Sequence, residues 1–248
     1  MRCLHESSLH EENCFITLTY NDENLPSDLS LNYKHFQDFM KRFRKAFGPD
    51  IRFYMCGEYG EKFDRPHFHA CIFGFDFDDK QLFFTSPSGA KVYRSAKLEK
   101  LWKYGYSSIG DVTFESAAYV ARYIMKKQTG QDAERRYEMT CLETGEIVKR
   151  KPEFNNMSRR PGIASDWFDK FSSDVYPHDF VVVNGKRCRP PKYYDRKLAR
   201  LNPDLFEEIA TSREKLASLR SDNNTPERLA VREEVVNLKV QKLARKIQ

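Results

Sequence analysis

The sequence contains no run of about 18 apolar residues, so no membrane-spanning helix is read from it. The opening stretch MRCLHESSLHEENCF has no apolar core of signal-peptide length, which argues against a secretory leader. The six cysteines (Cys3, Cys14, Cys56, Cys71, Cys141, Cys188) include no Cys-x-x-Cys pair. That spacing excludes a zinc knuckle and a disulfide frame, and it reads as reduced thiols in a cytosolic protein. No internal repeat is visible. What is present is a soluble globular composition, with 40% hydrophobic, 14% aromatic and 31% charged residues. A length of 248 residues allows one substantial core plus a tail or small second unit. The net charge of +6 permits nucleic-acid binding without demanding it.

Cys14–Tyr20 reads as a strand, alternating Ile16, Leu18 and Tyr20 against Thr17 and Thr19. After a loop, NYKHFQDFMKRFRKAFG places Phe36, Phe39, Met40, Phe43 and Phe47 at helical spacing and stops at Gly48. IRFYMCGEYG and HFHACIFGF follow as two strands with a short link, an expected antiparallel pair. Residues 76–95 read as a decorated loop or hairpin, AKLEKLWKYG as a short helix and YSSIGDVTF as a further strand. ESAAYVARYIMKKQTG reads as a helix ending at Gly130. Helices interleaved with strands on one sheet predict an α+β fold. Residues 131–197 are basic, rich in Pro, Asn and Gly, and weakly periodic; the remainder is charged and helix-prone.

Within RPHFHACIFGF, His67 and His69 are two apart and share one face of a strand, while Phe68, Ala70 and Ile72 fill the other. Two satisfied histidines on a half-exposed strand is the plain alternative to a ligand pair. A divalent metal on these imidazoles needs a third ligand, an oxygen for Mg²⁺ or Mn²⁺. Alternation puts Glu58 with Arg52, Tyr54 and Cys56, away from Phe53 and Met55, and makes it the candidate. Glu61 and Asp64 in the connecting loop are its rivals. On the later helix, Tyr119 and Tyr123 are four apart and share a face, with Arg122 flanking and Lys126 and Lys127 one turn further on. A tyrosine pair at this spacing is ordinarily core. Here the apolar arc of Ala117, Ala118, Val120, Ala121, Ile124 and Met125 is complete without it. A tyrosine hydroxyl, with an ordinary pKa of about 10, needs a metal or a lysine to attack phosphorus. Such attack on a phosphodiester leaves a phosphotyrosine and a free 3′-OH, and the retained bond energy allows later rejoining without ATP.

At these residues the sequence resembles the HUH superfamily of rolling-circle replication initiators. FITLTY resembles its first motif, RPHFHACIF its His-hydrophobe-His motif, and YVARYIMKK its two-tyrosine motif. CGEYGEKFDRPHFHACIFGFDF, SSIGDVTFESAAYVARYI and MSRRPGIASDWF are similar to the initiators of microviruses of the gokushovirus branch, and the resemblance covers nearly the whole chain. It implies a ferredoxin-like HUH endonuclease domain, with a central antiparallel sheet flanked by helices. It implies His67 and His69 as metal ligands with Glu58 beside them, Tyr119 and Tyr123 as alternating nucleophiles, and Lys126 or Lys127 as the motif lysine. The substrate implied is single-stranded phage origin DNA, with host helicase and polymerase extending the 3′ end in the bacterial host cytoplasm, away from membranes. Where such relatives carry an earlier cysteine-containing segment, this chain starts at Met1 inside an expected helix, as a shortened frame or a variant lineage would.

The expected organisation is an HUH nickase domain over 1–130, a basic loop-rich extension over 131–200 packed on it or contacting DNA near it, and a charged helical tail over 201–248. DNA-contact candidates are Lys62, Arg65, Arg122, Lys149, Arg150, Arg159 and Arg160, together with Lys151 and the KRCRPPKYYDRK stretch. A solvated basic face is the alternative for each. Trp167 and Phe168 read as core; His5, His10, His35 and His178 show no partnered spacing. Relaxases place the tyrosine before a three-histidine cluster, whereas here it follows two histidines. A transposase shares the chemistry. A binding module that had lost catalysis would show eroded motifs, and a water-activating hydrolase would leave the tyrosines unexplained.

Overall fold

The computed structural model describes residues 1–60, 64–122, 133, 136–140 and 144–241. The described chain groups into two units, residues 2–165 and residues 166–241. The stretch 131–200, which the sequence presents as one basic extension, is shared between them.

The first unit is built on an antiparallel sheet of β1 (Asn13–Tyr20), β2 (Arg52–Tyr59), β3 (Pro66–Phe73), β4 (Gln81–Thr85), β5 (Lys91–Arg94), β6 (Gly105–Gly110) and β9 (Phe154–Met157). Their spatial order is β4-β5-β6-β1-β3-β2-β9. The helices of this unit are α1 (Arg2–Ser7), α2 (Tyr33–Phe47), α3 (Ala96–Leu101) and α4 (Phe114–Arg122), so the expected α+β class with a flanked antiparallel sheet is what the chain adopts. A short hairpin of β7 (Glu138–Thr140) and β8 (Ile147–Lys149) stands outside the sheet.

Alternation divides the sheet into two faces. Ile16, Leu18 and Tyr20 of β1, Phe53 and Met55 of β2, and Phe68, Ala70 and Ile72 of β3 meet Phe36, Phe39, Met40 and Phe43 of α2 in the main core. The i, i+3, i+4, i+7 spacing of those four helix residues aligns them on one stripe, and each buried side chain contributes about 1.5–3 kcal/mol. Asn32 caps the start of α2 by accepting from the Lys34 amide, and Gly48 closes it at φ 119°, a conformation that favours glycine. The opposite face packs Phe15, Tyr54, Cys56, Cys71 and Phe73 against Cys3 and against Ala117 and Val120 of α4. Ala118 is only half buried and Ala121 is exposed, so the apolar arc of α4 is narrower than its sequence suggests. Tyr119 itself packs at the margin of that cluster.

Two elements depart from their sequence signals. Residues 76–95 supply the hairpin β4–β5 and add two strands to the sheet. Within the weakly periodic basic stretch, Phe-Asn-Asn-Met forms β9 against β2. Its asparagines are tolerated there because the Asn155 amide donates to Tyr54 Oη at 2.8 Å and the Asn156 amide to Tyr33 Oη at 2.7 Å.

Gly105 opens β6 at φ 151°, and a Cβ there would lie 2.3 Å from the Asn21 amide nitrogen and 2.5 Å from the Thr19 carbonyl oxygen. Both are backbone atoms that cannot yield cheaply. Gly105→Ala is therefore expected to cost about 2 kcal/mol or more, read as a lowered midpoint in urea unfolding.

The second unit contains α5 (Ser165–Val175), α6 (Lys192–Leu201), α7 (Pro203–Ser218), α8 (Pro226–Gln241) and the hairpin β10–β11 (Val181–Val183, Lys186–Cys188). Phe168 is buried and Trp167 stacks on Tyr194 at 5.7 Å, in line with their reading as core. Arg213 bridges Asp179 and Asp195, and Tyr176 Oη donates to Asp195 at 2.6 Å. Cys3, Cys14, Cys56, Cys71 and Cys188 are free thiols, and Cys141 lies outside the described residues.

Candidate metal and nucleophile site

The register of three strands assembles the site. Glu58 on β2 lies opposite His67 on β3, and Cys56 lies opposite His69. On the other side of β3, His67 faces Thr19 and His69 faces Thr17 of β1. Directly opposed residues share a face and stand about 5 Å apart. Two histidines, a glutamate and two threonines are thus held on one surface by backbone pairing alone.

His67 Nε2 is 2.6 Å and His69 Nε2 is 2.8 Å from the same oxygen, Glu58 Oε1. Glu58 is 2% exposed and His69 5%. Burial would raise the Glu58 carboxyl, but hydrogen bonds from His67 and His69, with their charges, outweigh it and hold the group below its ordinary value. Glu58 is therefore an anion in a dry place.

The far nitrogens of the imidazoles decide what the near ones can do. His67 Nδ1 is 2.9 Å from the Arg65 carbonyl oxygen, which can only accept, so Nδ1 carries the proton. Its Nε2 then either bears a second proton or offers a lone pair to a cation shared with Glu58. His69 Nδ1 is 2.9 Å from Thr17 Oγ1, a hydroxyl that can accept from it and leave Nε2 equally available. Orientation of a ligand imidazole through its other nitrogen is the usual support of a metal site. Phe15 stacks on the His69 ring at 5.6 Å and 11°, fixing its plane. The candidate ligand atoms of Glu58, His67 and His69 all lie within 4.8 Å of one another. Two imidazole nitrogens and one carboxylate fit a divalent cation, with positions left for water or substrate oxygen. Of the two rivals, Asp64 pairs with Arg150, and Glu61 lies outside the described residues.

Tyr119 reaches this cluster from α4. Its ring meets His69 edge to face at 5.0 Å, and its hydroxyl is 3.4 Å from Glu58 Oε1. Thr113 and Ser116 cap the start of α4 reciprocally, which sets the helix against the sheet. Tyr123, Lys126 and Lys127 lie outside the described residues, as does Lys62.

The remaining cationic candidates scatter. Arg65 pairs with Asp22 and donates to the Tyr20 carbonyl, at the mouth of the site. Arg122 is half buried and donates to the Ala118 carbonyl. Lys149, Arg159 and Arg160 are exposed or half exposed. Arg150 is only 4% exposed, with its guanidinium 4.5 Å over the Tyr59 ring and 3.3 Å from Asp64 Oδ2. That placement supports the turn between β2 and β3 instead of presenting the charge to solvent.

Thr17, Phe15 and the Arg65 carbonyl are site groups that the sequence does not single out. For Thr17 a signal exists, because alternation puts it on the face opposite Ile16 and Leu18. Thr17→Val keeps the shape and removes the hydroxyl. A 10- to 100-fold loss of metal affinity is expected, on the order seen for such supporting groups, measured by titrating Mn²⁺ against the protein.

The family model of the replication-associated protein ORF2 matches residues 13–128, a segment that holds every residue of this site. The chain is 32% identical over 218 residues to the replication-associated protein VP4 of Bdellovibrio phage phiMH2K, covering 84% of this chain and 64% of that protein. It is 32% identical to replication-associated protein ORF2 of Spiroplasma virus 4, covering 84% and 65%. It is 32% identical to replication-associated protein ORF4 of Chlamydia phage 1, covering 79% and 48%. The chain thus spans less than two thirds of the length of each of these relatives. No solved structure matches it. By these matches the chain belongs to the family of phage replication-associated proteins.

Proposed function

We propose that the protein initiates rolling-circle replication by nicking single-stranded phage origin DNA with a tyrosine, on an HUH-type site. The observation that supports this most is the approach of the Tyr119 hydroxyl to a buried Glu-His-His cluster. A cluster serving structure alone has no use for a phenol aimed at its edge, and a hydrolase using water has no use for it either.

Glu58, His67 and His69 would hold Mg²⁺ or Mn²⁺. A bound divalent ion supplies polarisation of a phosphodiester oxygen and neutralises charge that builds at phosphorus. The protein's own groups do the rest. Glu58 keeps its charge and, with the Arg65 carbonyl and Thr17, orients both imidazoles. Tyr119 or Tyr123 gives up its phenolic proton and its oxygen attacks phosphorus. The bond from phosphorus to the 3′ oxygen breaks, and that oxygen takes up a proton to become the 3′-OH. The 5′ side stays on tyrosine as a phosphodiester, so reversal by the 3′-OH rejoins the strand. Lys126 or Lys127 is placed by the motif to favour the phenolate, and the second tyrosine to hold one end while the first cuts another. Arg65, Arg122, Lys149, Arg159, Arg160 and Lys62 are the candidate backbone contacts, with Arg150 acting through the hairpin it supports. Host helicase and polymerase would then extend the 3′ end in the bacterial cytoplasm.

The test uses the full chain with a single-stranded oligonucleotide carrying the phage origin, with Mn²⁺ or Mg²⁺ and with EDTA. Metal-dependent cleavage that leaves one fragment attached to protein on a denaturing gel is expected. Cleavage with both fragments free would assign the attack to water and overturn the reading.

A further inference from the structure

The register that assembles the metal site continues past it. Glu58 pairs with His67, His67 with Thr19, and Thr19 with Tyr106 on β6. These four residues form one row across β2, β3, β1 and β6, all on the same face. The next row runs Cys56, His69, Thr17, Ser108 in the same order. Over β2 and β3, α4 covers this face with Ala117 and Val120. Over β1 and β6 the rows emerge: Thr17, Thr19 and Ser108 are half exposed, and Tyr106 is 63% exposed.

A large aromatic that exposed, at the end of a row of small hydroxyl side chains, is not serving the core. Its position is nevertheless fixed. Gly105 lies against the backbone of Thr19 and Asn21, and the Asn21 amide donates to the Tyr104 carbonyl at 3.0 Å, so the start of β6 cannot drift. Two strand spacings of about 4.8 Å put Tyr106 about 10 Å from His67 along the row. The shelf that Thr17, Thr19 and Ser108 make between them is flat and polar, and none of the three carries a negative charge.

We infer that Tyr106 is a stacking platform for a base of the single-stranded DNA whose scissile phosphate sits at the Glu58–His67–His69 cluster. The inference rests on the proposed nickase reading. A flat polar shelf ending in an exposed ring suits a splayed nucleotide: the ring takes the base face, and the hydroxyl-lined surface lets the sugar-phosphate pass towards the metal site without desolvating an apolar patch. A protein partner would instead be expected to find an apolar surface there. A duplex keeps its base faces stacked inside and gains nothing from the ring.

The test is equilibrium binding of the full chain to the single-stranded origin oligonucleotide in EDTA, for wild type and for Tyr106→Ala, Tyr106→Phe and Tyr106→Trp. Stacking on one base predicts roughly tenfold weaker binding for Tyr106→Ala, near wild-type binding for Phe and Trp, and an unchanged dependence on salt. In Tyr106→Trp, indole fluorescence should be quenched by the single strand and not by the duplex. Binding of Tyr106→Ala equal to wild type, with the covalent adduct still formed, would overturn the platform and leave the nickase reading standing. A wild-type protein that neither holds the single strand nor forms the adduct would overturn both. Thermal melting of each variant controls for folding, and the exposure of Tyr106 makes an unchanged midpoint the expected result.

Discussion

Changing Tyr119 and Tyr123 together to Phe is expected to abolish the protein-linked DNA fragment, while either single change leaves an adduct. Loss of the attacking group removes the reaction path itself, so a fall on the order of 10⁴-fold or more in cleavage is expected for the double variant. Phe keeps the ring, so Tyr119→Phe retains the edge-to-face contact with His69 and loses only the hydroxyl that lies 3.4 Å from Glu58. Metal binding and DNA binding should then survive in the variant that cannot cut. The contrast separates a nucleophile from a tyrosine that merely props up the histidines. If Tyr119→Phe lowered Mn²⁺ affinity and cleavage in parallel, the hydroxyl would be a support and not the attacking group.

Mn²⁺ should raise the melting temperature of the wild-type protein, and Glu58→Gln or His69→Ala should remove that rise. A ligand at about 100 times its dissociation constant stabilises by about 2.7 kcal/mol, which corresponds to roughly 5–10 °C for a chain of this size. The cleavage rate should fall at least about 100-fold in the same variants. Without metal, His69→Ala leaves the buried Glu58 carboxylate with one of its two imidazole partners missing. Its own melting temperature should therefore drop as well, whereas Glu58→Gln keeps a hydrogen-bonding group in the same volume. A wild-type melt indifferent to Mn²⁺, Mg²⁺ and EDTA would show that the cluster is an imidazolium-carboxylate knot and not a metal site.

The alternation of His67 and His69 against Phe68, Ala70 and Ile72 was legible in the sequence because period two is local to one strand. The choice of Glu58 over Glu61 and Asp64 followed from the same rule, and the register gave it a direct partner in His67. The row reaching Tyr106 was not legible, since it depends on β6 pairing with β1 although β2 to β5 lie between them in the chain. Arg150 misled for a similar reason. In the run Lys149-Arg150-Lys151 it looks like one charge among three, and only the distant Tyr59 ring and Asp64 show that it is buried. β9 was hidden because its two asparagines carry no strand signal until Tyr33 and Tyr54 offer them hydroxyls. Local pattern therefore identified the chemistry, and long-range pairing decided which neighbours share its surface.

Peptide mapping of the adduct is the most direct measurement. The protein is incubated with the single-stranded origin oligonucleotide and Mn²⁺, digested, and the nucleotide-bearing peptide sequenced by mass spectrometry. A 5′-phosphate on Tyr119 or Tyr123, with a free 3′-OH on the released fragment, is the expected result. A nucleotide on any other residue, or a 5′-phosphate released free while the strand is cut, would contradict it.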